Sequence, residues 1–206
     1  MDNPVLLFIN TLSTWVGKAF AWCIIILTFG VSYEVFVRYA LGAPTTWSYD
    51  IMYMMYGALF LMAGPYTVSR NGMVRGDFIY RYWPVRVQAG LDLVLFITFY
   101  MPGVAALAYA GYTFAAQSFR YKETSIFSPI AIPIYPMKIL IPVAGVLLFL
   151  QGIYEIARCI TCLRTGEWPA RPHDVEEMET AILHDEEARA KLAAEGFIPE
   201  TREDAR

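Results

Sequence analysis

Four stretches of this sequence read as membrane-spanning helices: residues 15–37, 46–69, 87–117 and 136–163. A bilayer core is roughly 30 Å thick and takes about 20 apolar residues of helix to cross. None of the four alternates apolar and polar residues as a barrel strand would. The helix is the other structure that satisfies its own backbone hydrogen bonds in lipid. The predicted fold is therefore an all-α membrane protein with four transmembrane helices over residues 15–164.

Charge divides the chain into a body and a tail. Only 17% of residues are charged, against about 25% in soluble domains. The first 164 residues carry a net charge of +4 and the last 42 a net charge of −7. An apolar, mildly basic body thus joins an acidic tail over 165–206. Within that tail, residues 174–195 read as one exposed helix, with Asp174 as N-cap and Glu177 three residues on. Its narrow apolar stripe of Val175, Met178, Ile182 and Leu183 leaves two readings, a solvated helix or one docked on a partner's cytoplasmic face.

At the other end, residues 1–14 form an apolar prelude. Asn3 and Pro4 suit a helix start, and the expectation is a short interfacial helix ahead of the first crossing. No basic residue precedes it, so it does not read as a cleaved signal peptide. The third span exceeds the length a crossing needs and must tilt or project, and Pro102 would allow a bend within it.

Basic residues orient the body. Arg70, Arg75, Arg81 and Arg86 lie between the second and third spans, and Arg158 and Arg164 close the fourth. The positive-inside rule then puts both termini and the middle loop in the cytoplasm.

Few residues here support redox or metal chemistry. Cys23 reads as a packing residue. Cys159 and Cys162 form a CxxC, but a lone pair gives two ligands where zinc needs four. His173 and His184 both lie in the tail, so no bis-His haem can sit within the spans. No cofactor, metal or nucleic acid is expected.

Charge inside a membrane is costly and marks function by default. Here every such group lies near a helix end. Glu34 and Arg38 are four apart, share a face and could pair with each other. Asp50 opens the second span, Asp92 lies early in the third, Lys138 opens the fourth and Glu155 lies near its close. They either set topology and helix ends, or Glu34, Arg38 and Asp50 pair with a partner protein. The small residues Ala106 to Ala110, Gly57, Ala58 and Gly64 permit close helix approach, within the bundle or with a partner.

The segment Arg38-Tyr-Ala-Leu-Gly-Ala-Pro-Thr-Thr-Trp47-Ser-Tyr-Asp50 resembles the small membrane subunit, the Q-type component, of tripartite ATP-independent periplasmic (TRAP) transporters. Asn71-Gly-Met-Val-Arg75-Gly-Asp77 is similar to that family's Gly-His-Val-Arg-Val-Asp loop. The stretch from Ser128 through Pro133 and Pro136 to Lys138, followed by Leu150-Gln-Gly152 and Glu155, matches its last helix. The resemblance covers residues 15–164. Met73 replaces the usual His, Gly76 the second Val, and Tyr49 one acid of the pair after Trp47.

This resemblance implies a non-catalytic subunit in a bacterial inner membrane. It would scaffold a large multi-helix permease subunit and help dock a periplasmic binding protein during ion-coupled uptake of an organic acid or related solute. Glu34, Arg38, Trp47, Asp50, Arg75, Asp77, Pro133 and Pro136 are then the candidate partner-contact residues. Two other readings stand beside it. One is a self-contained proton-coupled exporter using Glu34, and the other a membrane oxidoreductase using Cys159 and Cys162.

Overall fold

The computed structural model describes residues 4–73, 83–127 and 129–169. Arg75, Asp77 and the acidic tail from 170 onward lie outside the described residues. What is described is helical apart from loops and one isolated bridge: α1 (Pro4–Ala21), α2 (Cys23–Ala40), α3 (Ser48–Ser69), α4 (Val85–Leu95), α5 (Met101–Tyr121) and α6 (Tyr135–Thr165). Among the described residues there are four candidate membrane spans, over Pro4–Ala40, Ser48–Ser69, Val85–Tyr121 and Tyr135–Thr165.

The first span differs from the expected one. No boundary falls near residue 14. Instead α1 runs unbroken from Pro4 to Ala21, and the helix is interrupted at Trp22 before α2 continues it. The apolar run simply keeps satisfying its own backbone: no Pro falls near residue 14, and Gly17 stays within the helix where Tyr66 packs against it. Thr14 nevertheless lies level with the end of α3, where its hydroxyl meets that of Ser69 at 3.4 Å.

The third span is also compound. A π-helical turn over Phe96–Tyr100 joins α4 to α5, and the Met101 N–H bonds back to the Phe96 carbonyl. Pro102 has no N–H for the carbonyl four residues earlier, and its ring crowds that turn. Widening the turn just ahead of the proline accommodates both effects.

The longest helix, α6, is the centre of the bundle and packs on α1, α3, α4 and α5. Its axis is close to α5. A Cβ at Gly145 would lie 2.9 Å from Ala108 Cα, and one at Gly111 would lie 2.9 Å from Ile141. Gly57 faces Met137 and Gly64 faces Leu148 across the α3–α6 contact. Gly57, Gly64 and Ala108 thus pack inside the bundle, whereas Ala106 and Ala110 are exposed. Met62, Ala144 and Leu147 form the central apolar cluster, with Leu12, Val16 and Phe20 of α1 against it.

By contrast α2 is peripheral, and its packing is on α3 with slight contact to α1. Large apolar residues face outward around the bundle: Phe29 is 73% exposed, Phe60 70% and Phe99 71%. Polar groups such as Ser13, Asp50, Gln151 and Arg158 are buried. In water such an arrangement would be unstable. In lipid the apolar exterior is solvated and the polar groups are sequestered.

Candidate functional site

Polar chemistry gathers at the two ends of the bundle. At one end α2 stops, α3 begins, α5 stops and α6 begins. At the other, α3 stops beside the middle of α1, where Ser69 meets Thr14 and Tyr66 meets Gly17, and the start of α4 meets the close of α6.

At the first end, the expected Glu34–Arg38 pair forms. Arg38 donates to Glu34 Oε1 through Nε at 3.1 Å and through Nη2 at 2.7 Å. Thr45, in the loop after α2, donates its hydroxyl to the other carboxylate oxygen. Glu34 is thereby covered, 7% exposed, while the Arg38 side chain is 51% exposed. Fixing Glu34 from both sides clamps the end of α2 to the turn leading into α3.

Asp50, in the first turn of α3, is buried. Its Oδ1 accepts a 2.7 Å hydrogen bond from Ser125 Oγ, in the loop between α5 and α6. That loop is tied back on itself. The Ser125 N–H donates to the Ile132 carbonyl at 2.8 Å, and the Ile134 N–H to the Glu123 carbonyl at 3.1 Å. Pro133, bridged to Thr124, sits between those bonds and has no N–H to lose. Pro136 occupies the first turn of α6, where a missing N–H costs nothing. Tyr49 packs edge-on against Phe127, ring centroids 5.8 Å apart. The position where the resemblance leads one to expect a second acid thus holds an aromatic contact to the same loop.

Nearby, Lys138 bonds Glu123 at 2.5 Å and lies 4.1 Å from the centroid of the Phe114 ring. This bond holds the Glu123 carboxyl below its ordinary value. Trp47, the residue before α3, is 40% exposed. It borders an apolar groove between α2 and α3.

At the opposite end, Glu155 and Arg158 are both buried and pair at 3.3 Å. Arg158 also donates to the Pro169 carbonyl at 2.7 Å and lies over the Trp168 ring. The two cysteines of the CxxC are not joined in a disulfide and are buried on the same face of α6.

Of the candidate residues, Glu34 and Arg38 meet directly. Asp50, Pro133 and Pro136 gather around the α5–α6 loop, and Trp47 joins this end. Sequence reasoning missed Thr45 and Ser125, which complete the two carboxylate sites, and Gln151, which is fully buried in α6. Ser125 is 75 residues from Asp50, a separation at which no periodicity signals contact.

The described fold is that of a multi-pass α-helical membrane protein with its polar groups drawn inward. Residues 27–162 match the family model described as tripartite ATP-independent periplasmic transporters, DctQ component. The chain belongs to this family, and it is accordingly a small membrane component of a TRAP transporter rather than a member of an enzyme family. The comparison with curated proteins gives no match.

Proposed function

We propose that the chain is the non-catalytic small permease subunit of a bacterial inner-membrane TRAP transporter, with both termini cytoplasmic. In this reading it scaffolds the large multi-helix permease subunit. It also helps dock the periplasmic binding protein for ion-coupled uptake of an organic acid or related solute. The observation that carries the reading is the family match spanning α2 to α6. The packing supports a supporting role, because the buried charges tie helix ends together. Glu34 is occupied by Arg38 and Thr45, which gives no support to an exporter built on that carboxylate.

Glu34, Arg38, Trp47, Asp50, Pro133 and Pro136, with Arg75 and Asp77, are the proposed partner-contact set. Six of them belong to the end of the bundle that the positive-inside rule assigns to the periplasm. Co-purification tests the reading. The tagged chain, gently solubilised from its native host, is expected to bring down a polytopic protein of a dozen or so helices in stoichiometric amount. A chain that elutes alone, or only with itself, overturns it.

A further inference from the structure

Among the described helices α5 packs on α6 and leaves most of its circumference open. Val104, Gly111 and Ala115 are buried on the side toward α6, where Gly111 meets Ile141. Ala106, Tyr109 and Thr113, spaced three and four apart, share the opposite side. All three are exposed, as is Ala110 beside them, and Tyr109 is 75% exposed.

Tyr109 sits at mid-depth. The contact of Ala108 with Gly145 fixes its level against α6. Gly145 is ten residues from the start of that helix at Tyr135 and twenty from its end at Thr165. At a rise of about 1.5 Å per residue the nearer end is about 15 Å away, half the depth of a hydrocarbon core roughly 30 Å thick. From there a phenol does not reach the headgroups, and lipid chains offer its hydroxyl no acceptor. Among the described residues the Tyr109 hydroxyl has no hydrogen-bond partner. Hydroxyls nearby are satisfied within the bundle: Tyr100 donates to the Leu148 carbonyl at 3.1 Å, and Thr113 to the Ala110 carbonyl at 2.8 Å. Tyr109 differs from both in carrying its hydroxyl outward.

We propose that a membrane-spanning helix of the large permease subunit packs on this face of α5 and presents an acceptor oxygen to the Tyr109 hydroxyl. A polar group without a partner in hydrocarbon is costly, and a neighbouring helix is what supplies one at this depth. Ala106 and Ala110 let the backbone of that helix come close enough for a phenol to reach across. Small residues alone would suit any neighbour, lipid included. The hydroxyl is what selects a helix bearing oxygen acceptors over an acyl chain. None of the eight residues proposed above for partner contact lies on α5. The inference rests on the scaffold reading and adds to it a second contact face, within the membrane, and its chemistry.

The test uses the complex co-purified from the native host. The photoreactive amino acid p-benzoylphenylalanine replaces Tyr109, and adducts are mapped by mass spectrometry after irradiation. Most adducts are expected on one membrane helix of the large polytopic subunit. Tyr109→Phe keeps the ring and removes the hydroxyl. About threefold more of this variant should dissociate from the partner on dilution in detergent, the loss of one interhelical hydrogen bond. Ala110→Leu, which blocks close approach, should release more still, while the isolated chain melts as the parent does because Ala110 is exposed. Should Ala110→Leu fail to fold, the near-isosteric Tyr109→Phe and the adducts decide. Adducts with lipid alone or with a second copy of this chain, in a complex that stays intact, overturn the proposal and leave the scaffold reading standing. Dissociation unmoved by Tyr109→Phe overturns it equally. A chain that purifies without a polytopic partner overturns the scaffold reading, and this inference with it.

Discussion

Ser125 and Asp50 are 75 residues apart and joined by a 2.7 Å hydrogen bond from hydroxyl to carboxylate, in a site where Asp50 is 2% exposed. This bond pins the loop before α6 to the start of α3. Ser125→Ala would leave the buried Asp50 Oδ1 without its donor. A buried acceptor that loses its partner costs about 1–3 kcal/mol, more when charged. The purified variant should melt at a lower temperature than the parent, and Asp50→Asn combined with Ser125→Ala should melt higher than Ser125→Ala alone. Equal melting of parent and Ser125→Ala would show that the bond carries no stability.

Glu123 and Lys138 make the stability of the same end depend on pH. The Lys138 hydrogen bond depresses the Glu123 carboxyl below its ordinary 4.5. A carboxyl whose value is lower folded than unfolded stabilises the fold fully above the unfolded value. That stabilisation is lost as pH falls through the folded value. Acidification below about pH 4.5 should therefore lower the melting temperature of the parent, and Glu123→Gln should flatten part of that slope. Melts recorded across this range at low salt decide it, since an unchanged slope in Glu123→Gln removes Glu123 as a contributor.

Gly145 and Gly30 should respond oppositely to added bulk. A Cβ at Gly145 would lie 2.9–3.0 Å from atoms of Ala108, two of them backbone, whereas one at Gly30 meets nothing within 4 Å. Gly145→Val should destabilise by about 1–3 kcal/mol through overpacking. Gly30→Ala should be neutral or stabilise by up to about 1 kcal/mol through helix propensity. Thermal melts in one detergent compare them directly, and a Gly145→Val that melts like the parent would mean that α5 and α6 separate at little cost.

Arg158 is 4% exposed and joins Glu155, the Pro169 carbonyl and the Trp168 ring. Removing one member of a buried ion pair costs about 3–5 kcal/mol. Arg158→Ala should therefore lose folded protein on extraction or melt far below the parent. Arg158→Met, which keeps packing without charge, should fall equally far if the ion pair matters and only slightly if packing does. Size-exclusion profiles and melts separate these cases.

Much of the fold was legible because the bilayer leaves few solutions. That the chain holds four helices long and apolar enough to span a membrane was readable in its apolar runs, since such runs in lipid must be helical. The pairing of Glu34 with Arg38 was legible too, because it is local and follows from a spacing of four. The extent of α1 was not, because nothing in residues 4–21 marks an end. The π-helical turn was hidden as well, for Pro102 signals a disturbance without fixing whether the helix kinks or widens.

The sequence by itself determined that this chain has four stretches long and apolar enough to cross a membrane as helices, that its charges lie near the ends of those stretches and that it resembles the small TRAP subunit. Each of these depends on runs of neighbours or on residues three and four apart. Only the tertiary structure decided that Ser125 reaches Asp50 and that Thr45 closes over Glu34. It also decided that Gly145 and Ala108 bring α5 against α6, that Gln151 is buried, and that α2 stays at the margin with a groove along α3. Those relationships join segments far apart in sequence. They are set by how helices of similar composition choose faces in a solvent that rewards every apolar face alike.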